Sequence, residues 1–135
     1  MALVIYKKTD KVWIDIAETK FAFSPLTIQE KQKLFSSSQK LESEEENINF
    51  AKDLLKLTLK DCEGIKNADG SDYKFTFDSN GNISDDNIND LINTDISALL
   101  ITSASSLLAG MPSGDGIKNP ATGENLEGVK LVKKS

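Results

Sequence analysis

Apolar residues along this chain follow two different periods, and the switch between them divides it. In the first 24 residues the period is two: Val12, Ile14 and Ile16 alternate with Trp13 and Asp15, and Phe21 and Phe23 alternate after a break at Glu18-Thr19. That is the pattern of half-buried strands. With Leu3-Val4-Ile5-Tyr6 ahead of the polar turn Lys8-Thr9-Asp10, the three runs predict a short antiparallel meander. Ser24-Pro25-Leu26 stops it. Thr27-Ile28-Gln29-Glu30 then has the capping-box form, in which hydroxyl and carboxylate each serve an orphan amide of the first helical turn. The helix it opens is expected to turn Ile28, Leu34 and Phe35 inward and to fade into Ser36-Ser37-Ser38.

The longest helical period runs from Glu45 to Ile65. At 100° per residue, Ile48, Ala51, Leu55, Leu59 and Cys62 form one stripe, and Phe50, Leu54 and Leu57 form a second beside it. Lys52, Lys56 and Lys60 make an i,i+4 ridge on the remainder. A helix apolar over that much of its girth needs cover from two sides. Either it runs through the middle of a small core, or the stripe of Phe50, Leu54 and Leu57 waits for a partner. Ser43 to Glu46 offers a second capping box, the acids Glu44, Glu45 and Glu46 suit the positive end of the helix dipole, and Gly64 reads as the C′ residue.

Between Asn67 and Asn82 the turn signals Asp69-Gly70 and Asn80-Gly81 bracket an alternation of Tyr73, Phe75 and Phe77. One strand is expected there, paired with Asn82-Ile83-Ser84 across the Asn80-Gly81 turn. Ser84 or Asp85 caps a short helix carrying Ile88, Leu91 and Ile92, and a further helix runs from Ile96 to Ala109 before Gly110 and Pro112. No charge occurs between Asp95 and Asp115, so that last helix must pack closely on other elements. Beyond Met111 the chain is rich in Gly, Pro and Asn without a sustained period. The expectation is one α+β domain over 1–110, an antiparallel meander on a three- to four-helix core with a short hairpin, followed by a flexible tail over 111–135.

Composition narrows the function classes. All 16 basic residues are Lys and the net charge is −5, so neither a bidentate Arg fork nor an attractive field for a polyanion exists, and nucleic acid is not expected as a partner. The acids concentrate in 69–95, which holds seven against one Lys. Such a segment steers Lys-rich partners and keeps a chain soluble. The one Cys, Cys62, excludes an internal disulfide and a thiolate metal site, and its place on an apolar stripe reads as a small buried hydrophobe. The N-terminal run is too short for a secretory signal, and the Ser- and Thr-bearing stretch 96–111 is too short to span a bilayer, which leaves a cytoplasmic chain with no membrane contact as the expectation.

Candidate chemistry is sparse. Asp78, Asn80 and Asn82 match positions 1, 3 and 5 of an EF-hand loop, but Ile83 stands where that loop needs Gly and Asn89 where it needs a bidentate Glu. An Asn-Gly hairpin turn is the simpler reading, and no metal site or cofactor is expected. With no His in the chain, Ser-His and Cys-His pairs cannot form, and Asp85 with Asp86 reads as a pair of helix N-terminal acids. No enzymatic activity is expected.

The order of strands, Phe21-Ala-Phe23-Ser-Pro-Leu26-Thr27-Ile-Gln-Glu30, long central helix, hairpin and the Asp85–Leu108 helices resembles the tail assembly chaperones of long-tailed phages over most of residues 20–110. The strand-rich N-terminus is what a structural virion component, such as a tail completion or connector subunit, would show, and that is the alternative. The chaperone resemblance implies a small cytoplasmic protein that binds the helical tape measure protein or the tail tube protein during assembly, and the apolar stripe of Phe50, Leu54 and Leu57 is the surface that the helical pattern offers for it. It also implies a frameshifted longer product, for which Lys133-Lys134 would be the slippery site.

Overall fold

The computed structural model describes residues 7–38, 43–109, 116–118 and 124–132. Within them the order is β1 (Val12–Ile16), β2 (Thr19–Phe23), α1 (Ile28–Ser38), α2 (Glu44–Thr58), β3 (Leu59–Glu63), α3 (Asp85–Ile92), α4 (Ser97–Ala109), β4 (Gly116–Lys118) and β5 (Asn125–Leu131). The fold is α+β. The strands form one antiparallel sheet in the order β3-β2-β1-β5-β4. The expected strand Leu3–Tyr6 lies outside the described residues.

Period two in the sequence becomes two faces in the sheet. Ile14, Ile16, Phe21 and Phe23 are fully buried and share one core with Leu54 and Leu55 of α2 and Leu100, Ala104 and Leu107 of α4. The opposite face is mixed, with Trp13 and the buried Ala22 beside charged residues. One row of directly paired residues across it reads Lys130, Asp15, Lys20, Glu63, alternating in charge over four strands. Small residues let α4 approach its neighbours: Ser103 and Ala104 are fully buried, and the Ser103 hydroxyl is satisfied by Leu99 O at 2.7 Å.

β1 and β2 join through Ala17 and Glu18, both at positive φ (51° and 70°), with Ile16 paired to Thr19. This is a two-residue hairpin of the kind that Asn-Gly usually makes. The capping box of α1 forms as expected: Thr27 N–H donates to Glu30 Oε1 at 2.9 Å and Glu30 N–H to Thr27 Oγ1 at 3.1 Å. Ser43 and Ser84 cap α2 and α3, their hydroxyls accepting from Glu46 N–H and Asn87 N–H.

Two expectations are corrected. The central helix does not continue to Ile65: it stops at Thr58, and Leu59–Glu63 pairs with β2 as an outer strand. Leu59 closes the helix, its N–H donating to Leu55 O, and Gly64 (φ +89°) turns the chain out of β3 rather than out of a helix. The ridge of Lys52, Lys56 and Lys60 is broken by the same change. The second correction concerns the described part of 111–135. Residues 125–131 lie between β1 and β4, Val129 pairs with Ile16, and Val129 and Ile117 are buried in the core. The folded unit therefore includes β4 and β5 rather than ending at 110.

Candidate functional site

The stripe expected to receive a partner, Phe50, Leu54 and Leu57, is mostly core. Leu54 is fully buried, and Phe50 and Leu57 are half-buried against the same cluster. The physical reason is that α2 lies between other elements, packing on α1, α3 and α4. Leu54 has no face left for a partner while the domain is folded.

Apolar surface is instead found on α1, at the start of α2 and in the hairpin. Ile28 is 72% exposed, Phe35 49%, Ile48 42% and Phe77 47%. Of the α1 residues expected to face inward, only Leu34 does. The signal for this was present in the spacing: at 100° per residue Leu34 stands about 100° from Phe35 and about 120° from Ile28, so one inward face cannot hold all three. Position 30, one turn before Leu34, settles which side wins. Glu30 is tied down by the capping box and by Lys8, whose ammonium lies 2.7 Å from Glu30 Oε1, 3.0 Å from Pro25 O and 3.1 Å from Leu57 O.

The acidic stretch 69–95 is organised around Asn87, which is buried. Its Oδ1 accepts from Thr76 N–H at 2.6 Å and from the Ser84 hydroxyl at 2.9 Å, and its Nδ2 donates to Tyr73 OH at 2.6 Å. Tyr73 in turn donates to Asp90 Oδ2 at 2.8 Å. Burial, then the donated bond to Asp90 and that carboxylate's charge, push the phenol up to about 12 against the opposing bond from Asn87. The network locks the hairpin arm to α3.

The Asp78–Asn82 loop turns the chain as expected of Asn-Gly, but the strand expected over Tyr73–Phe77 does not form. That arm meets Asn82–Ser84 through an isolated bridge, because its side of the network is held by side chains rather than by a ladder. Asp78 Oδ1 accepts from the N–H groups of Asn80 and Asn82 at 2.8 and 3.1 Å, and Phe77 bridges to Ile83. Those amides hold the Asp78 carboxyl below its usual range. Among the described residues no three acidic or thiol side chains converge as metal ligands would.

Beside β3 runs a cleft of about 510 Å³. Its walls include Asp61, Cys62 and Glu63 on the strand and Tyr73, Phe75 and Phe77 on the facing hairpin arm. The Tyr73 and Phe75 rings meet edge to face at 6.1 Å. The Cys62 Sγ contacts Tyr73 O at 3.8 Å, and burial, with the charges of Asp61 and Glu63, pushes the thiol up to about 11. Sequence reasoning missed this cleft because it kept residues 59–63 in a helix, where Asp61 and Glu63 do not share a face.

No helix among the described residues is long and apolar enough to cross a membrane. No family model, no curated protein and no solved structure matches the chain.

Proposed function

We propose that this protein is a tail assembly chaperone of a long-tailed phage, which holds an amphipathic segment of the tape measure protein or of the tail tube protein in the host cytoplasm without catalysis. The observation that supports the reading is the apolar edge of the α1–α2 pair. Ile28 and Phe35 are seven residues apart and therefore on one side of α1, and Ile48 is exposed on the helix that packs against it. An amphipathic client helix presents anchors at i, i+3 or i+4 and i+7, which such an edge can receive. Single exposed apolar residues are ordinary on any surface; their placement along one helix and its neighbour is what favours a docking role. The resemblance carried by Phe21–Glu30 supplies the client's identity.

Calorimetric titration with synthetic helices that tile the tape measure protein of a long-tailed phage tests the reading. One or more segments should bind, and the triple variant Ile28→Ser, Phe35→Ser, Ile48→Ser should lose that binding with its circular dichroism unchanged. Equal binding by wild type and variant, or no binding by any segment, would remove it. The alternative, a structural virion subunit, is favoured by the five-stranded sheet, which is larger than the meander the sequence suggested. Sedimentation separates the two: a connector or completion subunit forms closed rings, whereas a client-holding chaperone is dispersed.

A further inference from the structure

The hairpin that leaves β3 does not zip up along it. Tyr73 N–H donates to Ile65 O at 2.9 Å, and Lys66 faces Asp72 as an isolated bridge. Past that point the arms part, and among the described residues no backbone hydrogen bond joins β3 to Lys74–Phe77. The cleft of about 510 Å³ is the space between them. Because β3 is the outermost strand of the sheet, its open edge faces a partner position that no described residue fills. The Cys62 N–H donates to the adjacent Asp61 Oδ1 at 2.8 Å, a side chain standing where a neighbouring strand's carbonyl would.

The registers state what a strand in that position should carry. Directly opposite side chains share a face of the sheet. The row Lys130, Asp15, Lys20, Glu63 alternates in sign and ends at the open edge on an anion. The row Trp13, Ala22, Asp61 on the same face ends on a second anion. Between these two, on the core side, the row Leu131, Ile14, Phe21, Cys62 is apolar and reaches the cleft that Phe75 lines. The next strand is thus asked for a cation opposite Glu63, an apolar residue opposite Cys62 and a cation opposite Asp61.

We infer that β3 is a strand-acceptor edge, and that its occupant is an extended segment of another protein with a basic–apolar–basic alternation. Main-chain bonds to β3 hold the segment, displacing Asp61 from the Cys62 N–H, and the alternate side chains select it. Charge disfavours a second copy as occupant, since in the antiparallel register centred on Cys62 its β3 would set Asp61 and Glu63 against acids of the same sign. The site lies on the sheet edge, not on the α1–α2 surface, and stands whether or not that surface holds a helix.

The test uses three fluorescent heptapeptides with the purified full chain and reads anisotropy: Thr-Lys-Val-Lys-Val-Lys-Thr, the same peptide with both valines replaced by proline, and the same peptide with its lysines replaced by glutamate. The first should saturate, with amide shifts by NMR confined to 59–65 and 72–77. Proline, which removes ladder donors, should weaken it by about tenfold, and the glutamate peptide should not bind. Asp61→Lys and Glu63→Lys should each weaken the first peptide by about tenfold and relieve the rejection of the third. Equal affinity of the valine and proline peptides would reduce the effect to plain charge attraction and overturn the inference. So would no binding of the first peptide, or unchanged affinity in folded charge variants. If those variants fail to fold, the three peptides on the unaltered protein decide the matter.

Discussion

Lys8 and Glu30, 22 residues apart, form an ion pair of 2.7 Å that fastens the segment before β1 to the first turn of α1. The same ammonium reaches the carbonyls of Pro25 and Leu57, so one side chain joins the approach to β1, the β2–α1 turn and the end of α2. Lys8→Met should cost about 1–3 kcal/mol, because two carbonyls and a carboxylate lose a charged donor together. Glu30→Gln should cost less than Glu30→Ala, since Gln retains the capping box. A double-mutant cycle by urea denaturation measures the coupling, and additive losses at Lys8 and Glu30 would show that the pair contributes nothing beyond its parts.

The pair also sets an acid limit. Burial raises the Glu30 carboxyl, but its bonds from Lys8 and Thr27 outweigh that and leave it below the usual carboxylate range. A depressed folded pKa contributes stability that is present above the unfolded value, about 4.3, and lost as pH falls through the folded one. Melting temperatures should therefore drop more steeply below about pH 4.3 in the wild type than in Lys8→Met. Parallel acid limbs for the two proteins would contradict this.

Strain is stored in the β1–β2 hairpin. Ala17 and Glu18 both sit at positive φ, where a residue with a Cβ is disfavoured by about 1–2 kcal/mol. Asp15 Oδ1 accepts from Glu18 N–H at 3.0 Å and offsets part of this. Replacing the pair by Asn-Gly (Ala17→Asn with Glu18→Gly) should raise stability by about 1–2 kcal/mol without changing the register. A thermal melt checks it; a neutral or destabilising result would mean that the loop relaxes in solution.

Much of this architecture could be read from residue order, and the failures have physical causes. Alternation located β1 and β2, and T-x-x-E located the start of α1, because those signals depend on neighbours within one turn or one strand. The end of α2 was misread because Leu59 and Cys62 continue the helical stripe of Leu55 although they belong to an edge strand. Leu59–Glu63 contains no β-branched residue, so its strand conformation comes from pairing with β2, a tertiary effect invisible to propensity. β5 was hidden for a different reason. Gly128, at φ +79°, lets its carbonyl accept from Ala17 N–H and interrupts the alternation, so Leu126, Val129 and Leu131 do not keep a period of two. The cleft depends on β3 and the arm that faces it, and no local pattern announces a hairpin that opens.

Since β5 lies inside the sheet, removing residues 124–135 should not be neutral. It takes Val129 from the core and exposes the edge of β1. Even Val129→Ala should cost about 1–2 kcal/mol, and the truncation several times that. Loss of the cooperative melt in the truncated chain is expected; an unchanged melting temperature would show that β5 adds nothing to the folded state.

The last prediction concerns Cys62, at the mouth of the β3 cleft. Burial first, and the flanking charges of Asp61 and Glu63 next, push its thiol up to about 11. Relative to an ordinary thiol near 8.5, that removes about two decades of thiolate at pH 8, while the higher basicity of the remaining thiolate restores about one. Alkylation by iodoacetamide should therefore run about ten- to thirtyfold slower than for a free cysteine peptide. Asp61→Asn and Glu63→Gln should each speed it, because removing a neighbouring anion lowers the thiol's pKa; Asn also keeps an oxygen to accept the Cys62 N–H. The sign for stability runs the other way from Glu30. A raised folded pKa favours the folded state below the unfolded value, and that contribution declines as pH climbs from about 8.5 to about 11. A rate equal to that of the free peptide, with a single ionisation near 8.5, would mean that the strand edge and hairpin arm do not shield the sulfur, and the cleft would then be open far more widely than its walls suggest.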